Sequence, residues 1–422
     1  MVAIASIQSQ VAQLCISDDI RSSIGIGYSA GLVQTGFQRM NAVALRIVVA
    51  MCAGLFWLNV QAALPPVAVM DRSVWPEQLV SEQLFDVASR AEILAFAHAL
   101  YVSEGLDEEG LKARLGLRSV NMQSINLVRN RLWARLLENY QFAQKSCEQD
   151  ASFCVLADDM DQLRERAVEY QIADDSFYAP WAKPSEAFHT RYLNELLRMA
   201  ALFPQTSSEI ERYNSDELSG DEMPDRTFML NFDSGPTAVD GSSDWVTDFL
   251  RQQKLTATFN VLGKSLQDRL EDSSADKLQA LYRLQCVGIQ GWEYRSHSQW
   301  VDWQRSVQRS ATLVQQVLPD NYVPLFRPPY GHRRADSAEF FRAQDLRVSL
   351  WNIDSQDLNA RVTPQQSAER VLTLMLLWRR GTIVFHDTNI KAQDALPWLL
   401  LNTSQSGVQW QDCHQIPDRP VE

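Results

Sequence analysis

Two kinds of hydrophobic spacing divide the chain. Between residues 63 and 204, apolar residues recur every three or four positions: Leu84, Val87, Ala91, Leu94 and Ala97; Ile125, Val128, Leu132 and Leu136; Phe188, Tyr192, Leu196, Met199 and Phe203. Such spacing lays an apolar stripe along a helix, so this half reads as about four or five packed helices. Pro76 and Pro184 sit where a first helical turn tolerates proline. Beyond residue 226 the texture changes, and short apolar runs alternate with amphipathic stretches. The runs at 227–233, 256–262, 286–293, 323–328, 348–354 and 382–386 predict strands, with 408–412 as a further one. Segments near 242–254, 264–284, 299–318, 334–345, 364–380 and 391–402 predict the helices between them. This alternation implies an α/β fold of parallel strands with helices packed outside. Closed into a barrel, it collects functional side chains at the C-terminal strand ends.

Between the halves, Ser207 to Asp225 holds seven acidic residues and one arginine, with little apolar content. Residues 205–225 therefore read as a solvated linker. A third pattern lies upstream. From Met40 the chain runs through Arg46 into an uncharged apolar stretch, 47–58, and leaves through Val60-Gln61-Ala62. One basic residue, a short apolar core and a small-residue exit form a secretory signal over 40–62. If uncleaved, the same segment is a membrane anchor. Residues 1–39 then read as an over-extended start, with Met40 as the true first residue.

The remaining composition narrows the classes. The length of 422 residues suits two domains, and a formal net charge of −13 argues against a nucleic-acid partner or an anionic membrane surface. The Leu111-Lys-Ala-Arg-Leu-Gly-Leu117 stretch has helix-turn-helix spacing, but reads as two packed helices with a glycine turn. Without the signal, four cysteines remain, an even number suited to an oxidising compartment. Cys147 and Cys154 close a short loop and form the favoured disulfide; spacing does not settle Cys286 and Cys413.

Candidate chemistry clusters where the strands end. Asp233, Glu293 with His297, Arg327, Asp354 with Asp357, and His386 with Asp387 all fall there. Carboxylates, an imidazole and a guanidinium facing one pocket suit metal-assisted or acid/base-assisted hydrolysis.

These residues carry a family resemblance. Asn231-Phe-Asp-Ser-Gly-Pro236, Ala257-Thr-Phe-Asn-Val-Leu-Gly263, Phe326-Arg-Pro-Pro-Tyr-Gly331, Trp351-Asn-Ile-Asp-Ser-Gln-Asp357 and Gly381-Thr-Ile-Val-Phe-His-Asp387 resemble, in order, motifs of the polysaccharide deacetylases, carbohydrate esterase family 4. The resemblance runs from about Arg226 to Cys413 and assigns 226–422 to a deacetylase-like domain. It implies a distorted (β/α) barrel of about seven parallel strands, preceded here by the all-α region. It also implies an exported, periplasmic or secreted hydrolase that removes acetyl groups from a cell-surface polysaccharide or exopolysaccharide.

Carried over by position, Asp233 is the general base, His386 the general acid, Asp357 the partner of His386, and Arg327 the cation that orients Asp233. Tyr330 contributes a backbone N–H to the oxyanion, and with Pro328 and Trp292 it contacts the substrate. The family binds a divalent metal through a second Asp and two His; here Ser234, Glu293 and His297 stand at those positions. Only His297 keeps the family's residue, and a neutral serine is a poor first-row metal ligand. Leu358 also replaces the tryptophan that usually follows the fourth-motif Asp. Three readings stay open: a repurposed metal site, with zinc as the candidate ion; metal-free hydrolysis; or a scaffold that binds glycan without cleaving it.

Overall fold

The structure is a computed structural model and describes residues 66–202 and 211–416. The expectations for an over-extended start, a signal segment and an anchor lie outside the described residues. Pro66–Glu422 forms one compact unit.

Among the described residues, five α-helices come first: α1 (Glu82–Glu104), α2 (Glu108–Leu115), α3 (Met122–Ala143), α4 (Met160–Glu169) and α5 (Ala179–Ala201). Local chemistry sets their starts. Ser81, Asp107, Asn121 and Asp159 each accept a backbone N–H from the first turn of the helix that follows. Gly116, at φ 63°, ends α2 and turns the chain toward α3, so the helix-turn-helix spacing is a packed helical pair. Pro180 opens α5, and Pro184 falls inside that helix, past the first turn expected for it.

The expected stripes face inward. Ile125, Val128, Leu132 and Leu136 on α3, and Phe188, Tyr192 and Leu196 on α5, are all buried. The centre of the bundle is α1, against which α3, α4 and α5 pack.

The second half contains β1 (Thr227–Asp233), α6 (Ser242–Gln253), β2 (Thr258–Val261), α7 (Gly263–Glu271), α8 (Ala275–Leu281), β3 (Cys286–Ile289), α9 (Trp303–Val317) and β4 (Tyr322–Phe326). It continues with α10 (Ala338–Ala343), β5 (Arg347–Val348), β6 (Ile353–Asp354), α11 (Pro364–Trp378), β7 (Gly381–His386), α12 (Lys391–Thr403) and β8 (Gln409–Trp410). All recorded pairings are parallel, in the order β5-β4-β3-β2-β1-β7-β6, with β8 beside β1. The result is a curled, incompletely closed (β/α) barrel.

The run expected as one strand at 348–354 is two short strands, because the chain leaves the ladder at Leu350–Asn352 and the sheet stays open between β5 and β6. The acidic stretch works at this opening. Leu218 donates its N–H to Val348 O at 2.9 Å and accepts from Leu350 N at 2.7 Å. Glu217, 3% exposed, accepts from Arg333 Nε at 2.7 Å. Residues 211–225 are therefore docked on the barrel, not a solvated linker; paired acidic side chains and one apolar anchor hold them there.

Helix α11 joins the halves. It packs on α1, where Ser89 Oγ donates to Leu376 O at 2.7 Å. Trp378 Nε1 donates to Tyr192 Oη at 3.0 Å, and Arg370 Nη2 to Glu195 at 2.7 Å. Just past α11, Arg379 is fully buried between Asp86 at 2.8 Å and Asp225 at 2.7 Å. Both cysteine pairs are disulfides, Cys147–Cys154 and Cys286–Cys413.

Candidate active site

Strand register builds the centre. On the parallel ladder Asp233 pairs with Asn260 of β2 and with His386 of β7, so three neighbouring strands deliver polar side chains at one level. Arg327 follows β4 directly, and Asp357 lies in the loop after β6.

Asp233 is buried and held on both oxygens. Oδ1 accepts from Asn260 Nδ2 at 2.8 Å. Oδ2 accepts from Gln290 Nε2 at 3.3 Å and lies 3.6 Å from Arg327 Nη1. Arg327 is fully buried, donates from Nη2 to Asn231 Oδ1 at 2.7 Å, and lies 5.0 Å over the Trp351 ring. Burial pulls its pKa down, and the charges of Asp233 and Asp354 oppose that.

Asp357, fully buried, accepts from His386 Nδ1 and from the His386 backbone N–H, both at 2.8 Å. Burial works against a charged His386. The Asp357 hydrogen bond and charge, with Asp233 and Asp354, outweigh it and raise the imidazole to about 9. A protonated imidazole thus stands beside a carboxylate at neutral pH. The four expected catalytic residues, Asp233, His386, Arg327 and Asp357, share one site.

Next to it, Asp387 is fully buried and pushed up to about 7, chiefly by that burial. It accepts from Ser243 Oγ at 2.6 Å. A Cβ on Gly235 would stand 2.1 Å from Asp387 Oδ2, so only glycine admits this close approach.

The expected metal ligands do not assemble. Ser234 Oγ donates to Gln290 Oε1 at 2.9 Å. The buried His297 has Nδ1 at 2.8 Å from Arg295 O and Nε2 at 3.2 Å from Ser306 Oγ, and its ring packs on Phe326. Burial lowers it to about 4. Glu293 is exposed to solvent. Among the described residues, one group of His, Cys, Asp or Glu donors converges closely enough for an ion: Cys286, Cys413 and His414. Its two sulfurs are joined in a disulfide, and Cys286 opens β3 at the end away from the mouth. Ser234, Glu293 and His297 therefore do not fit a family-type divalent metal, because neutral hydrogen-bonding partners occupy two of the three.

The expected substrate contacts also divide. Tyr330, at φ 59° and 50% exposed, stands at the rim. Pro328 is buried. Trp292 has Arg309 over its ring at 3.2 Å, so that face is closed to a sugar, and its backbone N–H donates to Ser306 Oγ at 2.7 Å. Sequence reasoning missed Tyr294. Its ring lies 4.6 Å from that of Tyr330, and the Tyr330 backbone hydrogen-bonds to it. Tyr294 is 38% exposed at the rim, and its partial desolvation, then the charge of Asp233, push its pKa above the ordinary value. Asn231, Asn260 and Gln290 were missed too, although a polar residue inside an apolar strand was a visible signal.

An open parallel barrel with an Asp–His–Asp–Arg cluster at its C-terminal mouth has the architecture of a barrel hydrolase. Residues 220–349 match the family model described as polysaccharide deacetylase, and the chain thus carries a polysaccharide deacetylase domain. Among solved structures, a peptidoglycan N-acetylglucosamine deacetylase bound to a hydroxamate is 17% identical, with TM-score 0.41 over 47% of this chain and 90% of that one. A family 4 carbohydrate esterase pseudoenzyme from Bacillus anthracis is 15% identical, with TM-score 0.42 over 49% of this chain and 70% of that one. The peptidoglycan deacetylase PdaC from Bacillus subtilis is 23% identical, with TM-score 0.36 over 44% and 86%.

Proposed function

We propose that the barrel mouth hydrolyses acetyl groups from an acetylated glycan without a bound metal. The observation that carries this reading is the adjacency of Asp233 and His386 on paired strands, with His386 Nδ1 held by Asp357 at 2.8 Å. Asp233 takes a proton from water, and the water oxygen bonds to the acetyl carbon. The C–N or C–O bond then breaks as His386 gives its proton to the departing amine or alcohol, leaving acetate. Arg327 positions Asp233, and Asp357 keeps His386 protonated and oriented. The Tyr294 hydroxyl, close enough to Asp233 to feel its charge, is a donor for the developing oxyanion in this scheme. Without Lewis-acid help, several kcal/mol of transition-state stabilisation is missing, so slow turnover is expected.

Two disulfides support an oxidising compartment, and with it an exported protein. Among the described residues, no helix is long and apolar enough to cross a membrane.

A second reading rests on the unassembled metal ligands: a barrel that holds an acetylated glycan and leaves it intact. One experiment separates the two. Acetate release from N-acetylglucosamine oligomers is followed in EDTA, with Asp233→Asn as control. Hydrolysis predicts release that survives EDTA and falls at least about a hundredfold in Asp233→Asn. Oligomer binding with no release in any condition establishes the scaffold instead.

A further inference from the structure

The hydrolytic scheme leaves a buried side chain at the mouth without a task. Gln290 follows β3 directly and is 2% exposed. Its backbone N–H donates to Val261 O at 2.8 Å and so continues the contact with β2. Burying an amide costs free energy unless its polar ends are paired. Here both ends are: Oε1 accepts from Ser234 Oγ at 2.9 Å, and Nε2 donates to Asp233 Oδ2 at 3.3 Å.

The two neighbours allow the amide one orientation. An ionised carboxylate accepts and cannot donate, so the end facing Asp233 has to be the NH2 group. The carbonyl is left for Ser234, whose hydroxyl supplies the proton. A reversed amide would set two acceptors against each other at Asp233. Ser234 stands at φ 76°, a left-handed conformation that costs a serine free energy, and its N–H donates to Asn260 O at 3.1 Å.

The other carboxylate oxygen is held from β2, where Asn260 Nδ2 donates to Oδ1 at 2.8 Å. Arg327 Nη1, 3.6 Å from Oδ2, is beyond hydrogen-bond reach, so it acts on Asp233 through charge while the amides give directed bonds. Two neutral donors on opposite oxygens fix the plane of the carboxylate and leave its charge uncancelled. Each oxygen keeps a second lone pair for a proton from water.

We propose that Gln290 is a positioning residue for the base, locked by Ser234, so that a Ser234–Gln290–Asp233 relay of hydrogen bonds orients the carboxylate where the metal ligands do not assemble. This role rests on the hydrolytic reading.

Acetate release from N-acetylglucosamine oligomers is measured for the full chain, Gln290→Met, Ser234→Ala and the double variant. Methionine keeps the volume and removes both side-chain bonds. In Gln290→Met kcat should fall about tenfold with KM within about twofold, because the residue acts through Asp233 and not on the glycan. Ser234→Ala should lower kcat by less, and the double variant by no more than Gln290→Met alone, since the hydroxyl acts only through the amide. The Gln290 side-chain amide resonances, followed by NMR, should move in both Asp233→Asn and Ser234→Ala. If Gln290→Met does not fold, Ser234→Ala carries the kinetic and spectroscopic tests. A kcat in Gln290→Met within about twofold of wild type, a raised KM at unchanged kcat, additive losses, or resonances unmoved in both variants would each overturn the proposal while the hydrolytic reading stands. No acetate release by the wild type would instead sink the hydrolytic reading and the positioning role together.

Discussion

His386 shows how one residue's protonation ties chemistry to stability. It stands near 9 because Asp357 outweighs burial. As general acid it should act across the neutral range, with kcat/KM falling as pH rises through about 9. In Asp357→Asn, burial is opposed only by the more distant Asp233 and Asp354, so the alkaline limb should move to lower pH. An unmoved limb would show that another group sets it. Stability follows the same sign. A His raised on folding contributes fully below its unfolded value, near 6.5, and that contribution fades as pH climbs through about 9. Denaturation midpoints across this window should decline in the wild type and flatten in Asp357→Asn. Gly235 makes a second residue-scale prediction. A methyl group there meets Asp387 at 2.1 Å, and Gly235→Ala should cost about 1–3 kcal/mol in urea unfolding. The four candidate residues, Asp233, Arg327, Asp357 and His386, were legible as a group because each ends a strand or lies in the loop just beyond one. It could not show that His297 turns inward to Ser306, since a ring's direction depends on the packing of Phe326 and α9 around it.

At the level of elements, agreement depended on burial. Strand β1 is buried along its whole length and matched its expected bounds at Thr227–Asp233. The run at 348–354 was equally apolar, yet it splits, because Asn352 leaves the ladder to hold Asp221, Arg380 O and Thr382 N. The acidic stretch misled for a related reason: its charges meet partners far away in sequence, and composition alone cannot reveal them. Glu217 is the sharpest case. Removing it takes the facing carboxylate from the buried Arg333, which keeps the Gly331 and Glu211 carbonyls, so Glu217→Ala should cost about 3 kcal/mol, measured as a lower urea midpoint. A loss below about 0.5 kcal/mol would mean the stretch is loosely held after all.

For the whole molecule, the two disulfides should differ in weight. Cys286–Cys413 spans 127 residues and Cys147–Cys154 spans 7. Loop-closure entropy ranks their contributions at about 5 and about 2 kcal/mol. Serine pairs at each site, compared by denaturant unfolding, should keep that order. The helical half and the barrel are also joined by buried polar contacts, since Arg379, Trp378 and Arg370 all bridge them.

Leu218 precedes every named barrel strand, yet its neighbours in space, Val348 and Leu350, are made far later on the chain. During synthesis it must stay unmated until Leu350 has been made. Closing that seam is therefore a long-range event that waits for Leu350, and β6, β7 and β8 are added to the wall only after that point in the chain.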